Sequence, residues 1–299
     1  MSHGAKKMEG VFTELPVPLL ENLSIDYESL GRMIQSQAHA GISGIYLHGV
    51  SGETMLMSWD EELELIARSV DIARGKLPVI ANLLASGQEQ ACAKAKAYAQ
   101  TGIDVLSISQ PLFYPYTESG LLEYFSAVIS SVNLPILIYN MPSAGYILSP
   151  KLIGTLARQY PQIIAYKDST QNVMHLQDVA AQAQGTNMAL YAGSDATFYS
   201  TLCTGGAGIV SLVSMLFPQE VIRLYQLYRD GNREGALQQQ QFISKIRSAL
   251  KAAPLIAGYK TAAKQLGLYR WDCVRPPLSN TTDADALALR ERLHALGIV

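Results

Sequence analysis

The sequence has few cysteines, almost no excess of charge of either sign, and no long apolar run. Its 299 residues include 3 cysteines, and 23 basic and 25 acidic residues leave a formal net charge of −2. A chain without a broad positive field is not suited to bind nucleic acid or an anionic membrane surface. No run of about 18 apolar residues is present, so the sequence predicts no membrane-spanning helix.

The three cysteines, Cys92, Cys203 and Cys273, are widely spaced. They form neither a C-x-x-C pair nor an even set, so the sequence predicts no disulfide framework. Scattered cysteines of this kind are typical of a reducing compartment, and we therefore expect a cytoplasmic protein. The hydrophobic fraction of 48% is that of a folded globular chain, which at this length needs no covalent crosslink.

Motifs for metal binding and for several common catalytic mechanisms are also missing. The 5 histidines form no H-x-H or H-x-x-x-H pair, the spacings that are usual for zinc ligands. We therefore expect no metal site. The sequence also lacks the G-x-S-x-G motif of many serine hydrolases and the G-x-x-x-x-G-K-S/T phosphate-binding loop.

Short apolar, β-branched segments alternate with longer amphipathic segments along most of the chain. The predicted strands are Val11–Pro18, Gly44–His48, Leu77–Asn82, Asp104–Ser109, Pro135–Tyr139, Ile163–Lys167, Ala189–Ala192 and Gly208–Leu212. The predicted helices between them cover residues 25–40, 59–73, 87–100, 118–131, 150–158, 172–183, 195–203 and 218–229. Eight strand–helix units favour a closed (β/α)8 barrel of the TIM type over an open doubly wound sheet. The open sheet would carry G-x-G-x-x-G after its first strand, where this chain has Pro16-Val17-Pro18.

Beyond residue 230 the pattern becomes entirely helical. The predicted helices there are Asn232–Ala252, Pro254–Leu266 and Asp283–Leu296, and no linker or charge block precedes them. We therefore expect a barrel over residues 1–230 and a C-terminal helical extension over residues 231–299 that packs on it.

Catalytic side chains of such barrels lie at the carboxyl ends of the strands, where one lysine is conspicuous. The sixth predicted strand ends in Tyr166-Lys167, and lysine is rarely buried without a partner. Burial would lower the pKa of the Lys167 amine and make it a nucleophile near neutral pH. A lysine that reaches past the strand end into solvent fits the same pattern.

Three further strand ends carry polar groups that suit the same chemistry. Tyr139 ends the fifth strand and is either a proton carrier or an aromatic residue that closes the core. The glycines of Gly49–Glu53 leave backbone N–H groups free to bind an anion, although plain turns share this pattern. After the seventh strand, Gly193, Ser194 and Asp195 suit substrate hydroxyls, or a side chain there caps the next helix.

Three motifs in register resemble a known family. G-x-x-G-E follows the second strand, Y-N-x-P the fifth, and K-D ends the sixth. In this order and spacing they resemble the dihydrodipicolinate synthase / N-acetylneuraminate lyase family, over essentially the whole chain. The resemblance implies a (β/α)8 barrel, usually tetrameric, and a class I, Schiff-base-forming carbon–carbon lyase. It also implies substrates such as pyruvate and other 2-oxo acids, and no metal ion or organic cofactor.

The resemblance assigns roles to residues by position. Lys167 would form the Schiff base, and Tyr139 would shuttle the proton. Val50 and Ser51 would hold the substrate carboxylate through a backbone N–H and the Ser51 hydroxyl. Val210 would lie against the pyruvyl group.

Departures from the family pattern bear on the substrate. Dihydrodipicolinate synthases generally have G-T-T-G-E, and an arginine shortly after Y-N-x-P holds the carboxylate of the aldehyde substrate. Here Val50 replaces the first threonine, and Ser143-Ala144-Gly145 contains no arginine. The aromatic residue that a neighbouring subunit donates falls on Phe113, or on Tyr114 if the register shifts by one. These departures disfavour condensation with aspartate semialdehyde.

We therefore predict an aldolase that cleaves or forms a 4-hydroxy-2-oxo acid of the 2-oxo-3-deoxy sugar acid type. Its partners would be pyruvate, an aldehyde and further copies of the chain in a homotetramer, with no nucleic acid and no membrane. The alternatives are a dihydrodipicolinate synthase-like condensation, a 2-oxo-acid dehydratase on the same Schiff base, and a non-catalytic 2-oxo-acid binding protein. A free aldehyde as product distinguishes the aldolase from the dehydratase.

Overall fold

A computed structural model of the chain describes residues 8–299. The strands are β1 (Gly10–Glu14), β2 (Gly44–Leu47), β3 (Val79–Leu83), β4 (Val105–Ser109), β5 (Ile136–Asn140), β6 (Ile163–Asp168), β7 (Ala189–Ala192) and β8 (Gly208–Ser211). They pair in parallel in chain order, and β8 pairs with β1 to close the sheet. The predicted (β/α)8 barrel is confirmed.

Helices alternate with the strands and then continue alone. The α-helices are α1 (Tyr27–Ala40), α2 (Trp59–Ala73), α3 (Gln88–Gln100), α4 (Glu118–Ser130), α5 (Pro150–Gln159), α6 (Val173–Gln182), α7 (Phe198–Cys203), α8 (Pro218–Arg229), α9 (Arg233–Leu250), α10 (Leu255–Gln265) and α11 (Asp283–His294). The predicted helical C-terminus is thus present as α9 to α11. Within residues 8–299 no helix is long and apolar enough to cross a lipid bilayer.

Most strand residues are buried because one face of each strand lines the barrel and the other packs against the helices. Alternate residues of a strand point to opposite faces. Two residues of β5, Leu137 and Tyr139, therefore point into the barrel. On β6, Ala165 and Lys167 do the same. The apolar side chains inside the barrel form a cluster separate from the larger core between strands and helices.

Most predicted strand ends lie within one or two residues of the observed ends, but β1 is shorter than predicted. The prediction extends this strand to Pro18, whereas β1 ends at Glu14. Pro16 has no N–H to donate to a neighbouring strand, which ends the pairing. The predicted helix over residues 195–203 is also different, because Asp195–Thr197 forms a 3₁₀ turn before α7.

The helical extension covers the face of the barrel where the strands end. The Gln240 side chain of α9 donates a hydrogen bond to the Asp195 carbonyl (2.8 Å) and accepts one from the Tyr199 N–H (2.8 Å). On α10, the Lys260 ammonium forms a buried ion pair with Glu53 in the turn after β2. These contacts place α9 and α10 over the expected position of the active site.

Candidate active site

Lys167 lies at the end of β6, inside the barrel, with no solvent exposure. Its Nζ atom is 3.2 Å from Oε2 of Glu14. The same atom lies 4.0 Å from the ring centroids of both Tyr46 and Tyr139. An ammonium between two aromatic faces and beside a carboxylate is well stabilised. The Lys167 side chain is therefore held inside the barrel, which excludes the alternative of a lysine that reaches past the strand end into solvent.

Glu14, at the end of β1, is the partner that the sequence analysis missed. Its Oε1 atom accepts a hydrogen bond from the Ser51 N–H (3.2 Å) and another, very short one from the Ser51 hydroxyl. The carboxylate lies against Gly49, where an added Cβ would come within 2.3 Å of Oε1. The sequence does contain a feature that could have predicted this partner, since Glu14 lies within the apolar segment Val11–Leu15. A carboxylate is as rarely buried unpaired as a lysine, so a glutamate in such a strand indicates a buried cation nearby.

The ion pair changes the expected protonation of Lys167. Burial by itself would lower the pKa of Lys167, but the Glu14 carboxylate, with smaller contributions from Tyr139 and Tyr46, outweighs burial and raises the pKa. Burial likewise would raise the pKa of Glu14, but the Lys167 charge and the Ser51 hydrogen bonds hold it below its usual range. The expectation of a neutral amine is therefore wrong here, because a carboxylate faces it.

The turn after β2 forms a 3₁₀ helix over Val50–Gly52 and presents its donors to the barrel interior. Ser51 is buried, and both its N–H and its hydroxyl face the Glu14 carboxylate. Val50 is 43% exposed and lines the cavity above it. This turn therefore provides carboxylate-binding donors next to Lys167.

Tyr139 and Val210 lie on the same cavity from opposite sides. The Tyr139 hydroxyl accepts a long hydrogen bond of 3.4 Å from the Ser169 hydroxyl. Val210 on β8 is buried and faces the interior of the barrel. The predicted tyrosine, serine and valine thus line one cavity, and the predicted lysine lies behind its wall, against Tyr139 and Glu14.

The residues after β7 line the cavity but are largely engaged by the protein itself. Asp195 accepts hydrogen bonds from the Ser211 hydroxyl (2.5 Å) and from the N–H groups of Leu212 (3.2 Å) and Val213 (3.3 Å). Burial raises its pKa. The Ser194 hydroxyl accepts a long bond of 3.4 Å from the Ala196 N–H. Gly193, the third of these residues, lines the cavity through its backbone.

The cavity has a volume of about 200 Å³ and is closed on one side by the helical extension. Arg247 and Lys251 of α9 and Tyr259 of α10 form part of its wall. Among the described residues, Arg247 forms no ion pair. Its positive charge is nevertheless close enough to Asp195 and Tyr259 to favour a lower pKa for both side chains, against the opposing effect of burial. A cation thus reaches the site from α9, which the sequence analysis did not predict.

Metal-ligating side chains do not converge in the part of the chain that the structure describes. From Met8 to Val299, no group of three or more histidine, cysteine, aspartate or glutamate residues is placed to hold a metal ion. The histidine nearest the turn, His48, is buried behind it, 3.2 Å from the Tyr98 hydroxyl. Burial lowers the pKa of His48 to about 3, so its ring is neutral.

Comparisons with known proteins agree with this geometry. A family model described as the dihydrodipicolinate synthetase family matches residues 7–296. An uncharacterized DapA-like lyase of Halobacterium salinarum is 33% identical over 280 residues, which cover 92% of this chain and 90% of that protein. A 4-hydroxy-tetrahydrodipicolinate synthase of Acidiphilium cryptum is 30% identical over 292 residues, or 97% and 99% of the two chains.

A solved structure is similar over the same length. The crystal structure of DHDPS from Cyanidioschyzon merolae with lysine bound has a TM-score of 0.92 at 27% identity, and the match covers 98% of this chain and 99% of that one. Enzymes of this family form a Schiff base between a lysine and pyruvate and use neither a metal ion nor an external cofactor. The chain therefore belongs to the dihydrodipicolinate synthetase family and is a carbon–carbon lyase of the class I aldolase type.

Proposed function

We propose that this enzyme cleaves or forms a 4-hydroxy-2-oxo acid of the 2-oxo-3-deoxy sugar acid type, with pyruvate and an aldehyde as the two fragments. The observation that carries this proposal is the proximity of three groups. Tyr139 and the donors of Ser51 line the cavity, and the buried amine of Lys167 lies behind them, 4.0 Å from the Tyr139 ring centroid and 3.2 Å from Oε2 of the cavity-lining Glu14.

The proposed reaction begins with attack of the Lys167 amine on C2 of the substrate. Loss of water gives an iminium ion, which accepts the electrons of the C3–C4 bond as that bond breaks. As the aldehyde leaves, Tyr139 takes the proton of the C4 hydroxyl and gives up its own phenolic proton, which passes to C3 of the enamine. The iminium ion that results is then hydrolysed, which releases pyruvate and restores Lys167.

The turn after β2 is assigned to the substrate carboxylate. The Ser51 N–H and hydroxyl already bind a carboxylate, that of Glu14, which supports the assignment. Val210 would lie against the pyruvyl group. Fixing the carboxylate and the carbonyl carbon relative to Lys167 supplies the orientation that makes the attack effectively intramolecular.

Hydroxyl groups along the cavity favour a sugar-derived aldehyde fragment. The Ser169 and Ser194 hydroxyls and the Tyr259 phenol line the cavity beyond Tyr139. The loop after β5, which includes Ser143, contains no cation to hold a carboxylate. A desolvated carboxylate without a partner costs several kcal/mol. Gly193, Ser194 and Asp195 remain the proposed neighbours of the substrate hydroxyls.

A second candidate function has one specific observation in its favour. Arg247 lines the cavity without an ion-pair partner among residues 8–299, and a guanidinium is well suited to bind a carboxylate. It could therefore hold the aldehyde carboxylate in a condensation of pyruvate with aspartate semialdehyde. Relatives such as the Acidiphilium cryptum protein carry the name of that synthase.

A direct comparison of kcat/KM decides between the two functions. We expect cleavage of 2-oxo-3-deoxygluconate-type acids to exceed condensation with aspartate semialdehyde by at least about 10²-fold, because the loop after β5 offers no cation. Free aldehyde must appear among the products, which separates the aldolase from a dehydratase.

The variant Arg247→Met, with Arg233→Met at the exposed start of α9 as its control, sharpens this comparison. If the semialdehyde reaction is the faster and only Arg247→Met removes it, the sugar-acid assignment is wrong and Arg247 is the missing cation. Absence of both reactions would refute both candidate functions and would assign the lyase to a different 2-oxo acid substrate.

We also propose that the chain forms a homotetramer, with Leu112–Tyr116 at an interface. Phe113 is 83% exposed and Tyr114 is 59% exposed, and their rings pack edge to face with centroids 5.1 Å apart. Two large exposed aromatic side chains side by side are typical of an interaction surface. Phe113 also has a φ of 84°, a conformation that costs about 1–3 kcal/mol and is usual at functional sites.

Sedimentation velocity at micromolar concentration tests this assembly. We expect a tetramer for the unchanged chain and smaller species for the double variant Phe113→Ser/Tyr114→Ser. The control Met174→Ser removes an equally exposed apolar side chain, 74% accessible on α6, and should stay tetrameric. A monomer in the unchanged chain would contradict the proposal.

The compartment proposed for this reaction is the cytoplasm. Cys92, Cys203 and Cys273 are all free thiols in the structure. Thiols persist unpaired in a reducing environment, which supports this location.

A further inference from the structure

We propose that Glu14 is a catalytic residue of this lyase: it accepts the proton of Lys167 when a substrate carboxylate enters the turn after β2, and it returns that proton to the hydroxyl group that leaves as water. This inference rests on the Schiff-base chemistry proposed for Lys167. It adds a specific proton carrier to that chemistry, on a strand to which the family resemblance assigned no function.

The two oxygen atoms of Glu14 face two different partners. Oε2 lies 3.2 Å from Lys167 Nζ, and Oε1 accepts the hydrogen bonds from the N–H and hydroxyl of Ser51. The carboxylate therefore connects the amine that must lose a proton to the donors proposed for the substrate carboxylate. A change in the hydrogen bonds of Ser51 therefore alters the charge that Glu14 presents to Lys167.

Substrate binding disturbs this arrangement in a predictable direction. Glu14 and the substrate carboxylate require the same donors on Ser51, and two adjacent carboxylates raise each other's pKa. Protonation of Glu14 relieves the repulsion, and the nearest proton is on Lys167. One proton then moves from the ammonium to the carboxylate, which converts a charged pair into a neutral amine and a carboxylic acid. The total charge of the pair stays at zero.

The neutral pair is the form that Schiff-base formation needs. The amine lone pair forms the bond to C2, and the carbonyl oxygen takes one amine proton to become a hydroxyl. The Glu14 carboxylic acid then donates its proton to that hydroxyl, the C2–O bond breaks, and water leaves. The products are a protonated imine on Lys167 and the Glu14 carboxylate, so Glu14 is regenerated in each turnover.

Four other titratable groups face Glu14. They are Lys167 on β6, Tyr46 on β2, Tyr139 on β5 and Tyr259 on α10. Burial raises the pKa of Tyr46 and of Tyr259, so both phenols hold their protons near neutral pH. Glu14 is the carboxylate in contact with the Lys167 amine, and a carboxylate is the better proton acceptor in this pH range.

The experiment measures the rate at which borohydride reduces the imine between pyruvate and Lys167 to a stable amine, from about pH 6 to pH 9. In the unchanged enzyme we expect a nearly flat profile, because the proton moves within the pair. In Glu14→Gln we expect a rate lower by about 10²–10⁴-fold, the usual effect of a positioned acid–base group, and a rate that changes with pH. The control Glu9→Gln makes the same change just before the start of β1, where Glu9 pairs with Arg229, and should behave like the unchanged enzyme.

A second variant keeps the test decisive if Glu14→Gln does not fold. Glu14→Ala removes the carboxylate and leaves a space, and added formate should restore the trapping rate in proportion to its concentration. Unchanged or faster trapping in Glu14→Gln, or folded Glu14→Ala that formate does not rescue, would refute the role of Glu14 alone. Failure of the unchanged enzyme to trap pyruvate at Lys167 would refute the proposed function, and the inference with it.

Discussion

The variant Lys167→Met is expected to lose turnover by at least about 10⁴-fold, the scale seen when a covalent nucleophile is removed. Methionine fills a similar volume but has no amine, so no Schiff base can form. Borohydride with pyruvate should add one pyruvyl mass at Lys167 in the unchanged enzyme and none in the variant. Mass spectrometry of the intact chain and of its peptides measures both. The exposed lysine of α5, Lys151, serves as the control when replaced by methionine.

The folding of this variant needs its own control. Loss of Lys167 leaves the Glu14 carboxylate buried without its cation, and breaking a buried pair costs about 3–5 kcal/mol. The double variant Lys167→Met/Glu14→Gln removes both charges and should recover most of that stability while staying inactive. Activity in either variant, or labelling at a lysine other than Lys167, would show that the Schiff base forms elsewhere.

The second large effect is expected from Lys260→Met, and it falls on stability. The side chains of Lys260 and Glu53 are 0% and 1% exposed and form an ion pair. Lys260 also donates a hydrogen bond to the Cys273 carbonyl (2.9 Å), and Glu53 accepts one from the Arg275 N–H (2.8 Å). Removing the ammonium leaves the Glu53 charge uncompensated, which costs about 3–5 kcal/mol. For a chain of this size we expect Tm to fall by roughly 6–15 °C.

Calorimetry or thermal melts followed by circular dichroism provide the measurement, with Lys264→Met as the matched control. Lys264 on the same helix pairs with Asp272, but their side chains are 45% and 28% exposed, and such pairs contribute about 0–1 kcal/mol. Equal Tm values for the two variants would contradict the prediction. A single transition in both would support our proposal that the helical extension over residues 231–299 packs on the barrel over residues 1–230.

Much of the site was predictable because parallel strands in a barrel all end at the same face. Lys167, Tyr139, Ser51 and Val210 lie on or after four different strands, yet the topology alone is enough to bring their side chains together. The strand ends were also predictable, except where Pro16 removed a backbone donor. These features depend on the alternation of residues along each strand, which the sequence displays directly.

The features that were not predicted depend on which side chains meet across the barrel. The charge of Lys167 is set by Glu14, 153 positions earlier in the chain, and no local pattern connects the two. Arg247 enters the cavity because α9 lies over the ends of the strands, which helical periodicity cannot indicate. Asp195 lies in the predicted place, but one of its oxygens binds Ser211 at the end of β8 and the other binds the loop that follows β8.

The depth of Lys167 also sets the order of events in a turnover. The amine has no solvent exposure, and the space above it is bounded by Arg247 and Tyr259 on the outer side. Under the proposed chemistry, the fragment that stays on Lys167 lies beneath the aldehyde. In synthesis pyruvate therefore binds before the aldehyde, and in cleavage the aldehyde departs before pyruvate. The enzyme is thus expected to follow an ordered or ping-pong scheme rather than random binding.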